Sequence, residues 1–192
     1  MKKTFIGLIK EIIPVIIGIL IALFIDNWKE QKEEEKYVDQ ILESVKLELK
    51  ENKTDIAENI SSQKELIDSL NHYADDKELS VLQILYKVKG FHAPKIRTNY
   101  WIAISNTKIE LFDYHKLSVL SNIEEEKELL KGKLYYLMNL IYSDSRDTSR
   151  EKKEQVVLLV MDIISTERTI NQEIEAFEDL QPLVKKQSEH SP

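Results

Sequence analysis

The sequence predicts an all-α protein, an N-terminal transmembrane helix followed by an elongated antiparallel helical bundle. Three observations carry that expectation. The 192 residues include only four glycines and four prolines, while Lys, Glu, Leu and Ile dominate, a composition suited to long helices. A run of 14 residues from Ile12 to Ile25 (IIPVIIGILIALFI) carries no charge. Beyond it, apolar residues recur in steps of three and four, and no stretch alternates as a strand would.

At 1.5 Å per residue, 14 residues rise about 21 Å, short of a hydrocarbon core about 30 Å thick. Extending the span to Phe5–Trp28 supplies the missing length. Phe5, Ile6, Leu8 and Ile9 are apolar, Lys10 can snorkel, and Trp28 suits the far interface. A cleaved leader needs small residues before its cleavage site, and ALFIDNW, Ala22 to Trp28, lacks that pattern. A core helix without a polar face needs covering on every side. Residues 1–28 therefore read as an uncleaved anchor whose partner is the lipid bilayer.

On a helical wheel Gly7, Glu11, Pro14 and Gly18 fall within about 60° of one another, with Ala22 and Asp26 drifting off the same side. Small residues let helix backbones approach, and a carboxyl in line with them can hydrogen-bond across the seam. Gly7, Glu11, Gly18 and Ala22 thus form a candidate helix-association face. The plainer alternative leaves Glu11 among headgroups beside Lys10. If the membrane helix starts near Lys10, Pro14 sits in its first turn, where a missing N–H costs little. Lys2, Lys3 and Lys10 before the span balance Lys29, Lys32 and Lys36 after it, close to a tie under the positive-inside rule. The preferred orientation puts the N-terminus inside and the body outside the cytoplasm.

No Gly or Pro interrupts Lys29 to Tyr73, which predicts a stalk helix over 29–73, 45 residues and about 68 Å long. Its apolar stripe is Val38, Leu42, Val45, Leu49, Ile56, Ile60, Ile67 and Leu70, of coiled-coil type, with Asn52 and Gln63 filling two seam positions. The step of four from Ile56 to Ile60 breaks the heptad as a stutter does. The charged block Glu30–Lys36 has no seam and reads as a solvated neck.

Asp75-Asp76-Lys77 ends the stalk, and a short helical pair is expected over 78–112. Its first member covers Glu78–Val88, and the loop KGFHAPK (Lys89–Lys95) is the clearest break in the body. The second forms around Tyr100, Trp101 and Ile104, before a turn at Ser105-Asn106-Thr107 and the apolar Ile109, Leu111 and Phe112. Two long helices close the fold. One covers 113–143, with Leu117, Leu120, Leu130, Leu134, Leu137 and Ile141 inward. The other covers 150–179, where Val156, Val160, Ile163, Ile170, Ile174 and Phe177 keep a 4-3 rhythm that Glu167 interrupts. Pro182 stops it, and 183–192 read as a disordered tail. The bundle so defined spans 29–182.

GLIKEIIPVIIGILIALFIDNWKEQK resembles the opening of an uncharacterised bacterial single-pass membrane family known only as a domain of unknown function. Its members place a Glu before a Val/Ile-rich Gly-Ile-Leu-Ile-Ala-Leu run and then an Asn-Trp pair. Residues 99–120 (NYWIAISNTKIELFDYHKLSVL) are similar to the family's middle part. Members usually carry Gly at the turn where this chain has Asn106-Thr107, and their extension before the span is longer. The resemblance covers about half the chain. It implies a single-pass protein with a basic N-terminus inside and a helical body, hence the bacterial inner membrane, and it supplies no catalytic residues.

Charge and residue types narrow the function classes. Three of the 27 basic and two of the 34 acidic residues fall in the first 28, leaving 24 against 32. So acidic a body is a poor binder of nucleic acid. With no cysteine there are no disulfides, thiolate metal sites or Cys nucleophiles. His72, His92, His115 and His190 lack metal spacing, and there is no phosphate loop or nucleophile elbow. No enzyme activity, cofactor or metal is expected. The sequons at Asn52 and Asn59 lie mid-helix and read as coincidence.

The aromatic segment admits two readings: a plug that caps the core, or a pocket or partner surface lined by Tyr100, Trp101 and Phe112 with His92 and His115 nearby. The function expected is a membrane-anchored helical interaction or sensor-like module whose ligand or protein partner is unknown. The alternative is a homo-oligomeric membrane effector or channel component assembled through Gly7, Glu11, Gly18 and Ala22.

Overall fold

The computed structural model describes residues 2–106 and 109–180, with side chains from residue 12 on. The expected tail at 183–192 and Thr107 of the expected turn lie outside the described residues. Every regular element among them is helical: α1 Lys2–His72, α2 Val81–Lys87, α3 Asn99–Ser105, a 3-10 turn Ile109–Leu111, α4 Tyr114–Ser143 and α5 Arg150–Asp179. The chain forms two compact units, residues 1–43 and residues 44 onward.

The first unit is helix from Lys2 on. Its most apolar 18-residue window has a mean hydropathy of 1.9 and none of it is buried, so this helix is long and apolar enough to cross a membrane. Phe24 is 72% exposed and Val15 61%. Because the helix starts at Lys2, Pro14 is in its interior and not in a first turn as expected. Proline cannot donate to the carbonyl four residues earlier, so one rung of the helix is missing there.

The second unit packs the last part of α1 against α5, and α4 against α5. It begins at Ser44, whereas the bundle is expected from Lys29. Within α1 from Ser44 on, the buried residues are Val45, Leu49, Asn52, Ile56, Gln63, Leu66 and Leu70. With the half-buried Asn59 these keep an unbroken alternation of steps of four and three. The expected stutter at Ile60 is absent: Ile60 and Ile67 flank the seam half-buried, and Leu66 takes the buried position. Burial in α5 follows the same beat through Val156, Val160, Ile163, Glu167, Ile170, Ile174 and Phe177.

Polar contacts fix the directions. Lys53 Nζ meets Glu178 Oε2 at 2.9 Å and Gln63 Nε2 meets Glu167 Oε1 at 2.7 Å, so α5 runs antiparallel to α1. Lys133 Nζ meets Asp162 Oδ1 at 2.9 Å and Asn122 Nδ2 meets Glu173 Oε2 at 3.3 Å, so α4 runs antiparallel to α5. The exposed pairs among these set register more than stability.

Helix ends are closed by local chemistry. Ser80 and Gln83 form a reciprocal capping box at α2, Asp113 caps α4 through the Lys116 N–H, and Ser149 caps α5 through the Lys152 N–H. Past the end of α1, the Asp76 carboxylate accepts from the Glu78 and Leu79 N–H groups, which holds its pKa below the usual value. The buried Lys153 donates to the Tyr73 carbonyl at 2.8 Å and to that of Asp76, placing a cation where the α1 carbonyls point.

Leu49, 1% exposed, and Leu47, 65% exposed, test this packing. In denaturant unfolding of the full chain in mild detergent, Leu49→Ala is expected to lower stability by about 2–5 kcal/mol. Leu47→Ala is expected to change it by less than about 0.5 kcal/mol. Equal effects would contradict the seam.

Candidate functional site

Residues 90–98 are neither helix nor strand, although they lie among helices. They leave α2 through a sharp turn in which Gly90 adopts φ +100° and its N–H donates to the Leu85 carbonyl at 2.8 Å. That backbone conformation requires glycine. Lys89 before it is also left-handed, with φ +64°. The segment then runs extended along α1 as a strap.

An extended segment must find partners for its peptide groups. Two amide side chains of α1 supply them. Asn52 Nδ2 donates to the Arg97 carbonyl at 2.8 Å, and the Arg97 N–H donates back to Asn52 Oδ1 at 2.8 Å. Gln63 Nε2 donates to the His92 carbonyl at 3.1 Å. The spacing is commensurate. The 11 residues from Asn52 to Gln63 rise about 16 Å as helix, and the five from His92 to Arg97 cover about 16 Å as extended chain. The Arg97 guanidinium adds ion pairs to Asp55 at 3.0 Å and Glu51 at 3.2 Å.

The strap delivers α3 to its place. Tyr100 and Ile104 turn into the core, 2% and 0% exposed. The Tyr100 hydroxyl has no hydrogen-bond partner, and burial, with Glu124 and Glu48 nearby, pushes its pKa far up, so it remains a phenol. Trp101 is half-buried and borders two pockets. One, of about 320 Å³, is lined by Lys95, Arg97, Lys127 and Glu124 beside it. The other, of about 570 Å³, is apolar in character, with Ile109, Phe112, Tyr114 and Leu117 around it. Lys127 Nζ is held by Thr98 Oγ1 at 2.6 Å and Glu124 Oε1 at 3.1 Å. Three cations line the first pocket, of which Arg97 is paired to Asp55 and Glu51 and Lys127 to Glu124, while Lys95 is exposed.

Beneath the strap lies a second polar group. Glu167 is fully buried, and Gln63 Nε2 bonds one of its oxygens at 2.7 Å. Burial pushes the Glu167 pKa up to about 7, and the Gln63 bond lowers it by less. The other carboxyl oxygen and Gln63 Oε1 have no partner.

The structure distributes the residues singled out from sequence as follows. Trp101 and Phe112 share a pocket, and Tyr100 belongs to the core beside it. His92 contributes its carbonyl to Gln63, and its imidazole is exposed. His115 is exposed and edge-on to Tyr114 at 5.9 Å between ring centroids. Gly18 and Ala22 are exposed, with nothing within 4 Å of a Cβ added at Gly18, and the side chain of Glu11, like Gly7, lies outside the described side chains. Asn52, read as a sequon by pattern, is buried and bonded through its amide. Lys95, Arg97 and Lys127 were not singled out. No periodicity marks them, since they converge from a strap and a helix 30 residues apart in sequence.

A packed helical body with a strap-bound pocket, preceded by a helix able to span a bilayer, defines an all-α protein with a candidate membrane segment. The chain belongs to a family of unknown function, DUF6090, whose pattern matches residues 11–121. The match takes in most of α1, the strap and Trp101 and ends inside α4, so Glu124 and Lys127 of the first pocket and α5 with Glu167 lie beyond it. No curated protein and no solved structure matches the chain.

Asn52→Ala removes both bonds to Arg97 and is expected to destabilise the full chain by about 2–3 kcal/mol, the cost of two peptide groups left unpaired. Asn52→Asp keeps the bond from the Arg97 N–H and loses the other. Amide exchange at Arg97 is therefore expected to accelerate strongly in Asn52→Ala and less in Asn52→Asp. Unchanged exchange in both would mean that the clamp does not hold the strap.

Proposed function

We propose that the protein is a membrane-anchored helical binding module of a bacterial inner membrane, with the body outside the cytoplasm and no catalytic role. Its ligand is a molecule or protein segment that combines an acidic group with an apolar part. The observation that carries this reading is Trp101, which borders both a cationic and an apolar pocket on a rigidly strapped element. An acidic group can meet Lys95 and Lys127, while an apolar portion lies against Trp101 and Phe112. The exposed run Ile12–Ile25 supports the anchor, since so large an apolar surface is unfavourable in water.

A second reading is favoured by Gly18, where the space for another helix backbone is open. In it, the anchor self-associates through Gly7, Glu11, Gly18 and Ala22 and forms a channel or membrane effector.

Three measurements test these readings. The full chain is expected to stay with membranes after carbonate washing, and vesicles carrying it are expected to remain tight to a trapped dye. Leakage would favour the second reading, and wash-off would overturn the anchor. The Trp28→Phe chain keeps Trp101 as its single tryptophan. Its emission is expected to respond saturably to 3-phenylpropionate and not to the neutral amide, and Lys95→Gln with Lys127→Gln is expected to weaken that response about tenfold. Equal responses to acid and amide would remove the charge-based part of the reading.

A further inference from the structure

Among the described residues, three buried side-chain atoms lack a hydrogen-bond partner: Gln63 Oε1, Glu167 Oε2 and the Tyr100 hydroxyl. Two of the three belong to one pair of side chains, already joined by the 2.7 Å bond from Gln63 Nε2 to Glu167 Oε1. An amide and a carboxylic acid pair through two parallel bonds, N–H to carbonyl oxygen and acid O–H to amide oxygen. The first of these is present. The second needs one proton on Glu167 Oε2, and that proton satisfies both orphaned oxygens at once. The remaining Gln63 N–H already serves the His92 carbonyl at 3.1 Å.

We infer that Glu167 and Gln63 form a proton-operated latch on the strap: protonated Glu167 closes a two-point pair that locks Gln63 onto His92, and deprotonation opens it. With the proton gone, two acceptor oxygens meet in a dry core with no donor between them, and hydration of the site requires the His92 end of the strap to lift. The Arg97 end is held independently by Asn52, and Gly90 supplies the hinge.

The charges around Glu167 leave the proton as the simplest way to satisfy it. From α1 the facing group is Gln63, and the neighbouring Lys64 and Glu65 are exposed. From the strap comes the His92 carbonyl, the imidazole being exposed. From α4 comes Lys133, whose ammonium is taken by Thr166 Oγ1 at 2.8 Å and Asp162 Oδ1 at 2.9 Å. The α2 face is Val81, Ile84 and Leu85, with nothing ionisable. On α5 itself, Asp162 and Arg168 are exposed.

The direction of the pH effect follows. A carboxyl whose folded pKa is raised from 4.5 to about 7 favours the folded state in its protonated form. That contribution is complete below the unfolded value and is lost as pH rises through about 7.

The test uses the full chain in mild detergent between about pH 5.5 and 8.5, a window that brackets the folded value. The thermal midpoint of the parent is expected to fall by several degrees across it. Glu167→Gln carries an amide N–H where the acid carries its proton, and its midpoint is expected to be flat. The carbonyl carbon-13 shift of His92, the group that Gln63 bonds, is expected to move across the same window in the parent, with amide exchange at Arg97 unchanged. Gln63→Leu is expected to hold the His92 shift at its alkaline value at both ends. Should Glu167→Gln fold poorly, the carbon-13 shift of the Glu167 carboxyl in the parent decides. Titration near 7 supports the latch, and titration in the ordinary carboxylate range overturns it. A Glu167→Gln chain with the parent's pH slope overturns it as well.

Discussion

The arrangement of the body depends on how an extended segment is satisfied inside a protein made of helices. Helices complete their own backbone hydrogen bonds, and the strap has none of its own to complete. The amide of Asn52 presents a donor and an acceptor spaced much as a peptide group presents them, so it pairs with both polar groups of Arg97 as a neighbouring strand would. Gln63 does half as much for His92. Because the two anchors fix the strap at both ends, the register of everything after it is fixed too. Tyr100 enters the core, Trp101 stays at the rim, and Lys95 and Arg97 face Lys127 across the pocket.

Much of this fold was legible in sequence, and the reason is periodicity. The 4-3 beat located α1, α4 and α5, and it marked Asn52, Gln63 and Glu167 as polar residues in seam positions. What it could not supply was their partner, because the strap has no period and its register depends on side chains some 30 to 45 residues away. The stutter expected at Ile60 had a similar cause. Counting only apolar residues skipped Asn59 and favoured Ile67 over Leu66, whereas burial follows position whatever the side chain. The aromatic segment divides between the two readings open from sequence, since Tyr100 is buried in the core and Trp101 is half-buried at the rim. The Ser80–Gln83 capping box, by contrast, was readable as S-x-x-Q and would have placed the start of α2 at Val81.

The two units distribute their apolar residues differently. In residues 12–25 apolar side chains point outward all round the helix, and in the second unit the same residue types point inward along one stripe. Within the first unit the charged neck Glu30–Lys36 buries no side chain, and the compact body starts at Ser44. The family match covers the apolar run, both amide anchors and the strap, but not the helix that carries Glu167. The clamp on the strap is thus contained within the matched region, and the polar group beneath it is completed from outside.

Glu167 is an expensive choice for that completion. A carboxyl whose pKa rises from 4.5 to about 7 on burial costs the ionised fold about 3 kcal/mol. That is a large share of the roughly 5–15 kcal/mol typical of whole domains. Leucine at the same position would avoid the cost but would still strand the oxygen of Gln63, and replacing Gln63 by leucine would strand the carbonyl of His92. The chain of dependence therefore runs from the strap inward. The strap needs a donor, the donor brings an acceptor oxygen into a dry core, and that oxygen needs a hydrogen. A protonated carboxyl can provide it without adding a further polar atom that lacks a partner. The same economy makes the site sensitive to pH, since the one hydrogen that completes it is also the one that leaves as the solution becomes alkaline.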